Sequence, residues 1–344
     1  KYPIGARRFG STGRKDPAPK TEIWLRLLEA DRVVWEQRSK TDISQMVKYS
    51  AAMRTLPRVR AELVREGRLV DLIEQEIGFD GPRESPSFVT ARDRSFRHNG
   101  QPWRAFGVNY MPTSGLARLN GEEFEHYLLD PSYDPEIVEA DLERIADMGM
   151  NMISAFIYAG KVDNGNVLDL LRRARKNGLL VNLSLRPNYA PFPAPDDVLE
   201  YLIKTYRLAE KDEIMAYDIA WEPWWATAGN LARYGSDWRA WIARNYGSVE
   251  AACARWNYTP EGRIEDFPSG AQLKMDGAWT TAVADYRRFV DDTLTSAYSH
   301  AVATIREMDP NHLVSFRQSE GANPEVDPSW IPIDLRSVHE AVDF

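Results

Sequence analysis

The sequence has little of what several classes of protein require. Its 344 residues include a single cysteine, Cys253, which excludes an internal disulfide and a cysteine-based zinc site. The five histidines show no short metal-ligand spacing. No apolar run approaches the ~18 residues that a bilayer-spanning helix needs. We therefore expect neither a metal or other cofactor nor a membrane partner.

The charge pattern lacks a basic block. Lys and Arg number 43 and Asp and Glu number 51, so the formal net charge is −8. This balance argues against a nucleic-acid partner and against an anionic membrane surface. The hydrophobic fraction of 43 % is ample for a buried core. At roughly 150 residues per domain, the length suggests two domains or one large domain.

Residues 1–95 are predicted to form a small all-β domain. Apolar and polar residues alternate over 23–27, and a polar turn separates this run from 33–35, which predicts a hairpin. A second hairpin is predicted from 59–63 and 69–73 around the turn Glu66-Gly67. Together the hairpins suggest an Ig-like sandwich. An amphipathic helix is the alternative for the last segment, since its apolar positions also fit a 3.6-residue period.

From Trp103 onward the pattern changes to alternating strands and helices. Apolar strands are predicted at 105–110, 152–158, 179–185, 214–220 and 313–316, with a sixth beginning at 341–344. Repeated βα units predict a parallel sheet covered by helices. Residues 110–115 lack the glycine spacing of a dinucleotide-binding loop, which favours an eight-stranded barrel over a doubly wound sheet. We expect 96–344 to be a (β/α)8 TIM barrel that includes strands one to six only.

In such barrels the chemistry lies at the carboxyl ends of the strands. The residues predicted there as substrate-binding are Asn109, Tyr110, Tyr158, Arg186, Asn188, Trp221, Trp224, Trp225, Gln318 and Glu320. Aromatic rings with amides and a few charges suit an oligosaccharide or polysaccharide partner. By contrast, we expect Trp238, Trp241 and Trp256 to pack in the core.

Glu222 is the outstanding ionisable group at this predicted rim. It lies in the segment Trp221-Glu222-Pro223-Trp224-Trp225. A carboxyl among tryptophan rings is desolvated, which raises its pKa and suits a general acid near neutral pH. The alternative is that Glu222 caps a loop or pairs with an arginine.

Residues 216–223, Ala-Tyr-Asp-Ile-Ala-Trp-Glu-Pro, resemble the fourth-strand motif of clan A retaining glycoside hydrolases. That motif is typically Trp-(Asp/Glu)-x-x-Asn-Glu-Pro, and its Glu is the acid/base. The resemblance implies that Glu222 is the acid/base. Asp218 matches the acidic position four residues earlier, for which we expect a buried structural hydrogen bond.

Other segments resemble the same clan, in the expected order along the chain. Glu76–Phe79 resembles the end of the family 2 Ig-like sandwich, and 95–110 the junction into the barrel of families 2 and 5. Residues 141–151 are similar to the first barrel helix. Residues 241–256 and 285–289 look like family 42 β-galactosidases. The resemblance implies a β-galactosidase-like hydrolase, with β-mannosidase and β-glucanase activities as close alternatives.

The chain also departs from the clan pattern. Trp221 stands where the clan has the Asn that contacts the sugar 2-hydroxyl, and the Arg at the end of strand two is missing. Arg186 is a candidate substitute, and a structural salt bridge is the equal alternative. A retaining pair needs a second carboxylate ~5–5.5 Å from the acid/base. Glu320 is the only nearby rim candidate, and we expect instead that the chain is a fragment whose nucleophile lies beyond Phe344.

Two main functional hypotheses follow, and a weaker third is that the predicted sandwich at 1–95 is the functional sugar-binding module. The first is a hydrolase that cleaves β-linked sugars by a retaining mechanism, with Glu222 as acid/base. The alternative is a non-catalytic carbohydrate-binding protein on a degenerate barrel, because the clan Asn is replaced and the nucleophile is not visible. The sequence leaves the oligomeric state open.

Overall fold

The computed structural model describes residues 2–6, 21–47, 57–76, 84–112, 126–128, 133–157, 165–185, 192–221, 225–317, 330–331 and 338–344. The chain divides into two compact units, Lys1–Pro82 and Arg83–Phe344. The boundary predicted between residues 95 and 96 differs from this division, which assigns the short strands from Thr90 to Trp103 to the second unit.

The first unit consists of antiparallel strands. They are β1 (Tyr2–Ala6), β2 (Thr21–Glu29), β3 (Arg32–Ser39), β4 (Ile43–Val47), β5 (Arg58–Arg65) and β6 (Arg68–Glu76). A four-stranded sheet has the order β3-β2-β5-β6, and β1 pairs with β4. Both predicted hairpins are confirmed, and the helical alternative for residues 69–73 is wrong. The described strands do not establish an Ig-like sandwich.

Local sequence explains this sheet. Glu66 and Gly67 both adopt positive φ, 52° and 79°, as a two-residue hairpin turn with the right-handed twist requires. Alternation along β2 places Ile23, Leu25 and Leu27 on one face, where they are buried together with Ile43 of β4. The period of two therefore determines which face of the sheet becomes the core.

The second unit begins with a small antiparallel sheet and continues as a parallel one. Its strands are β7 (Thr90–Arg92), β8 (Ser95–His98), β9 (Gln101–Trp103), β10 (Gly107–Asn109), β11 (Met152–Phe156), β12 (Leu180–Ser184), β13 (Ile214–Trp221), β14 (Trp225–Ala226), β15 (Leu313–Arg317) and β16 (Trp330–Ile331). The five strands β10-β11-β12-β13-β15 form a parallel sheet in chain order. The alternating α/β organisation is confirmed, and no closed barrel exists among the described residues.

Helices connect and cover the parallel strands. They are α1 (Pro135–Asp147), α2 (Gly165–Lys176), α3 (Asp196–Thr205), α4 (Thr227–Tyr246), α5 (Val249–Trp256), α6 (Thr280–Met308) and α7 (Val338–Ala341). Asp134 caps α1, since its carboxylate accepts from the N–H groups of Glu136 and Ile137. Within the described ranges, no helix combines the length and apolarity that crossing a bilayer demands.

The sixth strand predicted at 341–344 is wrong. Helix α7 occupies residues 338–341, and Asp343 follows it without joining a ladder. Its N–H donates to the Val314 carbonyl at 2.8 Å, while its carboxylate accepts from the Val314 N–H at 2.6 Å and pairs with Arg306. A side chain thus takes the position beside β15 that a strand backbone would need.

The β8–β9 hairpin packs at the amino end of the parallel sheet. Phe96 and Trp103 join a cluster with Met152, Leu180 and Leu313, which begin or nearly begin their strands. Because this end is filled with apolar side chains, the carboxyl end is the one left for chemistry, as in other parallel α/β folds.

Three tryptophans pack in the core, as predicted: Trp238, Trp241 and Trp256. Trp238 is fully buried and stacks on Trp241 and Trp256, with ring centroids 5.4 and 6.2 Å away. The indole N–H groups of Trp241 and Trp256 donate to Asp292 and Asp285, each at 2.7 Å. These rings join α4, α5 and α6 and are not available as sugar platforms.

Candidate active site

The two faces of the parallel sheet have opposite character. On one face the side chains pack with the helices in the main hydrophobic core, for example Ile153, Leu183 and Phe316. The other face contains the alternate residues of the same strands. Toward the carboxyl end these form two rows across the sheet: Asn109, Ser154, Asn182; and Phe156, Ser184, Asp218, Ser315. We call this the polar inner face.

The polar inner face is buried as well as polar. Ser154, Asn182, Ser184, Asp218 and Ser315 are all buried. Strands of a parallel sheet covered on both sides are normally apolar on both faces, and a buried polar atom is costly unless it is hydrogen-bonded. Asn182 Oδ1 and Ser184 Oγ have no partner among the described residues. Such atoms are suited to a polar ligand or to ordered water.

Arg317, the last residue of β15, reaches over this face. Its guanidinium pairs with the Asp218 carboxylate, Nε to Oδ2 at 3.0 Å. The same group donates to Asn109 Oδ1 and to Ser154 Oγ. It also lies over the Phe156 ring, 5.8 Å from the centroid. One side chain therefore joins the carboxyl halves of β10, β11, β13 and β15.

This contact shows that the sheet is strongly curled. Strands β10 and β15 are its two edges, with three strands between them. At ~4.8 Å per strand spacing, a flat sheet would hold the edges far beyond the combined reach of Arg317 and Asn109. Their hydrogen bond requires that the sheet curve around the polar inner face. The inner face is accordingly concave.

Electrostatics on this face are dominated by the buried carboxylate. The Asp218 side chain is 0 % exposed, whereas that of Arg317 is 22 % exposed. Burial, and then the negative charge of Asp218, raise the pKa of Tyr298 on α6 well above its usual value. Asp218 is buried, as expected, and its printed contact is the ion pair with Arg317; the structural hydrogen bond expected for it stays a prediction.

The predicted acid/base follows β13 in the sequence and is outside the described residues. Glu222 and Trp224 are outside the described residues, while Trp221 and Trp225 are described as strand backbone. Trp221, the last residue of β13, is the register partner of Arg317, the last residue of β15. The Trp225 backbone pairs with Ile331, which brings together the segments following β13 and β15.

The remaining predicted rim residues fall into two groups. Tyr158, Arg186, Asn188, Gln318 and Glu320 are outside the described residues. Asn109 lies on the polar inner face in contact with Arg317. Tyr110 is buried in the hydrophobic core, where it packs against Tyr127 and donates to Asp141 of α1 at 3.3 Å. The described contacts of Tyr110 are those of a core residue.

Arg317 and the polar rows are the site features that sequence reasoning missed. A signal existed for Arg317, because it directly follows the apolar run Leu313–Phe316 at a strand end. Ser154, Asn182 and Ser184 also interrupt apolar strands at alternate positions. Polar residues at period two in an otherwise apolar strand indicate one polar face.

A second buried polar cluster lies where β15 begins. Asp309 accepts from the Tyr217 hydroxyl at 2.6 Å, and His312 Nδ1 lies 2.6 Å from the same carboxylate oxygen. His312 Nε2 lies 3.0 Å from the Lys211 carbonyl, so each ring nitrogen lies beside an oxygen acceptor. Burial opposes the charge of Asp309, but His312 and Tyr217 outweigh it and lower its pKa to about 2. This cluster fixes the amino end of the strand.

No group of three or more His, Cys, Asp or Glu side chains suited to a metal ion occurs within the described ranges. The described side chains of the polar inner face supply carboxylate, guanidinium, amide and hydroxyl groups.

The chain is similar in structure to several glycosidases. It matches a calcium-binding mutant of Bacteroides uniformis β-glucuronidase 2 with 12 % identity and a TM-score of 0.34, covering 87 % of this chain and 30 % of that one. For Ruminococcus gnavus β-glucuronidase the values are 15 %, 0.27, 64 % and 36 %. For a Bacteroides vulgatus β-glycosidase they are 13 %, 0.27, 65 % and 28 %. The chain thus spans about a third of the length of these structures.

No family model matches the sequence, and no curated protein matches it. At these identities and TM-scores, only the residues of this chain bear on its function.

Proposed function

We propose that this protein is a hydrolase of β-linked sugars in which Glu222 is the general acid/base of a retaining reaction. The observation that supports this is the concave polar inner face, whose strand β13 runs directly into Trp221-Glu222-Pro223. A parallel sheet presents its working groups at the carboxyl ends of its strands. In the sequence, Glu222 directly follows the carboxyl end of β13.

The proposed frame is a barrel of the clan A type, preceded by an antiparallel domain. Two observations support this frame. Five parallel strands follow one another in chain order, and the hydrogen bond between Arg317 and Asn109 requires that the sheet be curved. The resemblance noted in the sequence makes a β-galactosidase-like activity the first candidate, with β-mannoside and β-glucan substrates next.

The proposed reaction uses Glu222 twice. As the bond between the anomeric carbon and the leaving oxygen breaks, Glu222 gives its proton to that oxygen while a second carboxylate bonds to the anomeric carbon. Glu222 then takes a proton from water, whose oxygen displaces the carboxylate. No described residue is assigned as the second carboxylate.

The described residues would bind and orient the sugar. Asn182 and Ser184 offer buried polar atoms without a described partner, which suit sugar hydroxyls. Arg317 holds Asn109 in place at the opposite edge of the sheet. Tyr158, Arg186, Asn188, Trp224, Gln318 and Glu320 are proposed as further rim contacts on sequence grounds.

The proposal is tested with aryl β-glycosides of graded leaving-group acidity. Glu222→Gln should lower turnover of phenyl glycosides by about 10²–10⁴-fold, because the leaving phenolate is no longer protonated. Dinitrophenyl glycosides need little protonation, so their kcat/KM, which reports the first step, should fall much less. Their kcat should still fall, because Glu222 also takes the proton from water in the second step. Glu261→Gln, the same substitution on an exposed surface, is the matched control.

A different outcome favours the alternative function. If wild type and Glu222→Gln are equally inactive on every glycoside while oligosaccharides still bind, the protein is a carbohydrate-binding protein on a related frame. The observation that favours this alternative is that Trp221 replaces the clan Asn.

A further inference from the structure

The guanidinium of Arg317 can only donate hydrogen bonds, because it carries N–H groups and no acceptor. Its Nε lies 3.0 Å from the Asp218 carboxylate, and its two terminal nitrogens donate to Asn109 Oδ1 and Ser154 Oγ. All three nitrogens are therefore engaged. The plane of the guanidinium is fixed by three contacts on three different strands.

The contact with Arg317 also fixes the side-chain amide of Asn109. A free carboxamide can turn about its last bond and offer a neighbour either its oxygen or its NH2 group. In Asn109 the oxygen must face Arg317, since the NH2 group in that place would set donor against donor. The Nδ2 group is consequently on the other side of the amide, where none of the residues that the structure describes accepts its hydrogens.

Asn109 differs in its exposure from the other two partners of Arg317. Asp218 and Ser154 are buried, whereas Asn109 is exposed as the last residue of β10, at the carboxyl end of the parallel sheet. Ligands of parallel α/β folds bind at this end of the strands. The buried network therefore ends in an exposed hydrogen-bond donor whose orientation is fixed.

We propose, resting on the function proposed above, that Asn109 is a specificity-determining residue that contacts the sugar as a donor only. A hydroxyl oxygen has lone pairs that accept from Nδ2, and a fluorine substituent accepts weakly. An ammonium group has no lone pair, so it would leave the amide unpaired and would also lie near the Arg317 cation. The site therefore takes neutral sugars and excludes amino sugars whose ammonium is at the contacted position.

The test uses aryl β-galactosides in which one hydroxyl at a time is replaced by fluorine or by an amine, assayed at a pH where the amine is protonated. The measure is the ratio of kcat/KM for the fluoro and amino substrates, because their intrinsic reactivities cancel when variants are compared. At one sugar position Asn109→Asp should lower this ratio at least about tenfold, since its carboxylate keeps the contact with Arg317 and offers the sugar an acceptor. Asn109→Ala offers neither group and should give an intermediate ratio.

Two controls separate specificity from folding. Asn257→Asp makes the same substitution at an exposed residue that follows α5, and it should keep the wild-type ratio. In urea denaturation Asn109→Asp should unfold like wild type, because an acceptor for Arg317 is retained. A lower stability with an equal loss of activity on every substrate would overturn the inference and make Asn109 a structural residue.

The inference and the proposed function fail in different ways. If glycosides are cleaved but the ratio is the same in wild type and Asn109→Asp at every sugar position, the inference is overturned and the proposed function stands. If no glycoside is cleaved, the proposed function fails, and the ratio is taken instead from the affinities of the same sugars by calorimetry. An unchanged affinity ratio, or no binding at all, then overturns the inference as well.

Discussion

Charged pairs serve different purposes in the two sheets of this protein. In the antiparallel sheet, Arg26 lies between Glu36 and Glu62, and Glu74 accepts from Arg58 and Arg60, at distances of 2.5–2.6 Å. In the parallel sheet, one arginine pairs with a fully buried Asp218. A partly exposed ion pair adds little stability, whereas a pair with a fully buried carboxylate is costly to break. Only the pair of Arg317 and Asp218 therefore points to a role beyond stability.

The largest expected effect comes from removing the guanidinium of the buried pair. Arg317→Met takes away the cation beside Asp218 and should lower the free energy of unfolding of the second unit by about 3–5 kcal/mol. Urea denaturation followed by circular dichroism measures this change. The physical reason is that the carboxylate remains in a low-dielectric position after its ion-pair partner is gone.

The converse substitution separates charge from packing. Asp218→Asn leaves a partly exposed arginine that still contacts Asn109 and Ser154, so its cost should be smaller than that of Arg317→Met. The double variant should be more stable than Arg317→Met alone. If the two single variants cost the same and their effects simply add, Asp218 and Arg317 are not energetically coupled.

The sequence predicts the strands of both sheets well, because buried faces impose a period of two. The β2–β3 and β5–β6 hairpins and the five parallel strands all lie where their apolar patterns indicate. The pattern failed at residues 341–344, where a run of apolar and acidic residues resembles a strand beginning. There the Asp343 carboxylate replaces a backbone acceptor beside β15, a contact that local sequence does not encode.

The candidate site was predictable only in part. Strand-end chemistry pointed to Asn109 and to the segment at Glu222, because both follow apolar runs. Arg317 was not among the predicted site residues, since its reach to the opposite edge depends on the curl of the sheet. Tyr110 follows the same strand as Asn109 but packs in the core, because adjacent residues of a strand face opposite sides.

An intermediate effect should appear on acidification, through the cluster that begins β15. Its contacts lower the pKa of Asp309 from 3.8 to about 2, so Asp309 contributes stability that is fully present above about pH 4. That contribution should fade as pH falls through about 2, a loss of about 2 kcal/mol at 1.36 kcal/mol per pKa unit. Urea midpoints measured at successive pH values report it.

Substitution at the same position checks the assignment. Asp309→Asn should be less stable at neutral pH and should flatten the acid dependence between about pH 4 and pH 2. Asp276→Asn, on an exposed loop, should keep the wild-type dependence. An unchanged acid slope in Asp309→Asn would assign the acid sensitivity to other carboxylates.

The smallest effect is expected in the ladder of the antiparallel sheet, where Arg26→Met keeps the apolar stem and removes the charge. Two ion pairs are lost, but both lie where water can replace them in part, so the first unit should lose about 1 kcal/mol. Because the pairs are screened, the loss should shrink when salt is raised from ~0.05 to ~1 M. Arg32→Met, which removes an exposed pair with Glu29, should change stability by less than about 0.5 kcal/mol. A cost for Arg26→Met as large as that for Arg317→Met, and independent of salt, would mean that the ladder is effectively buried, and the contrast between the two sheets would fail.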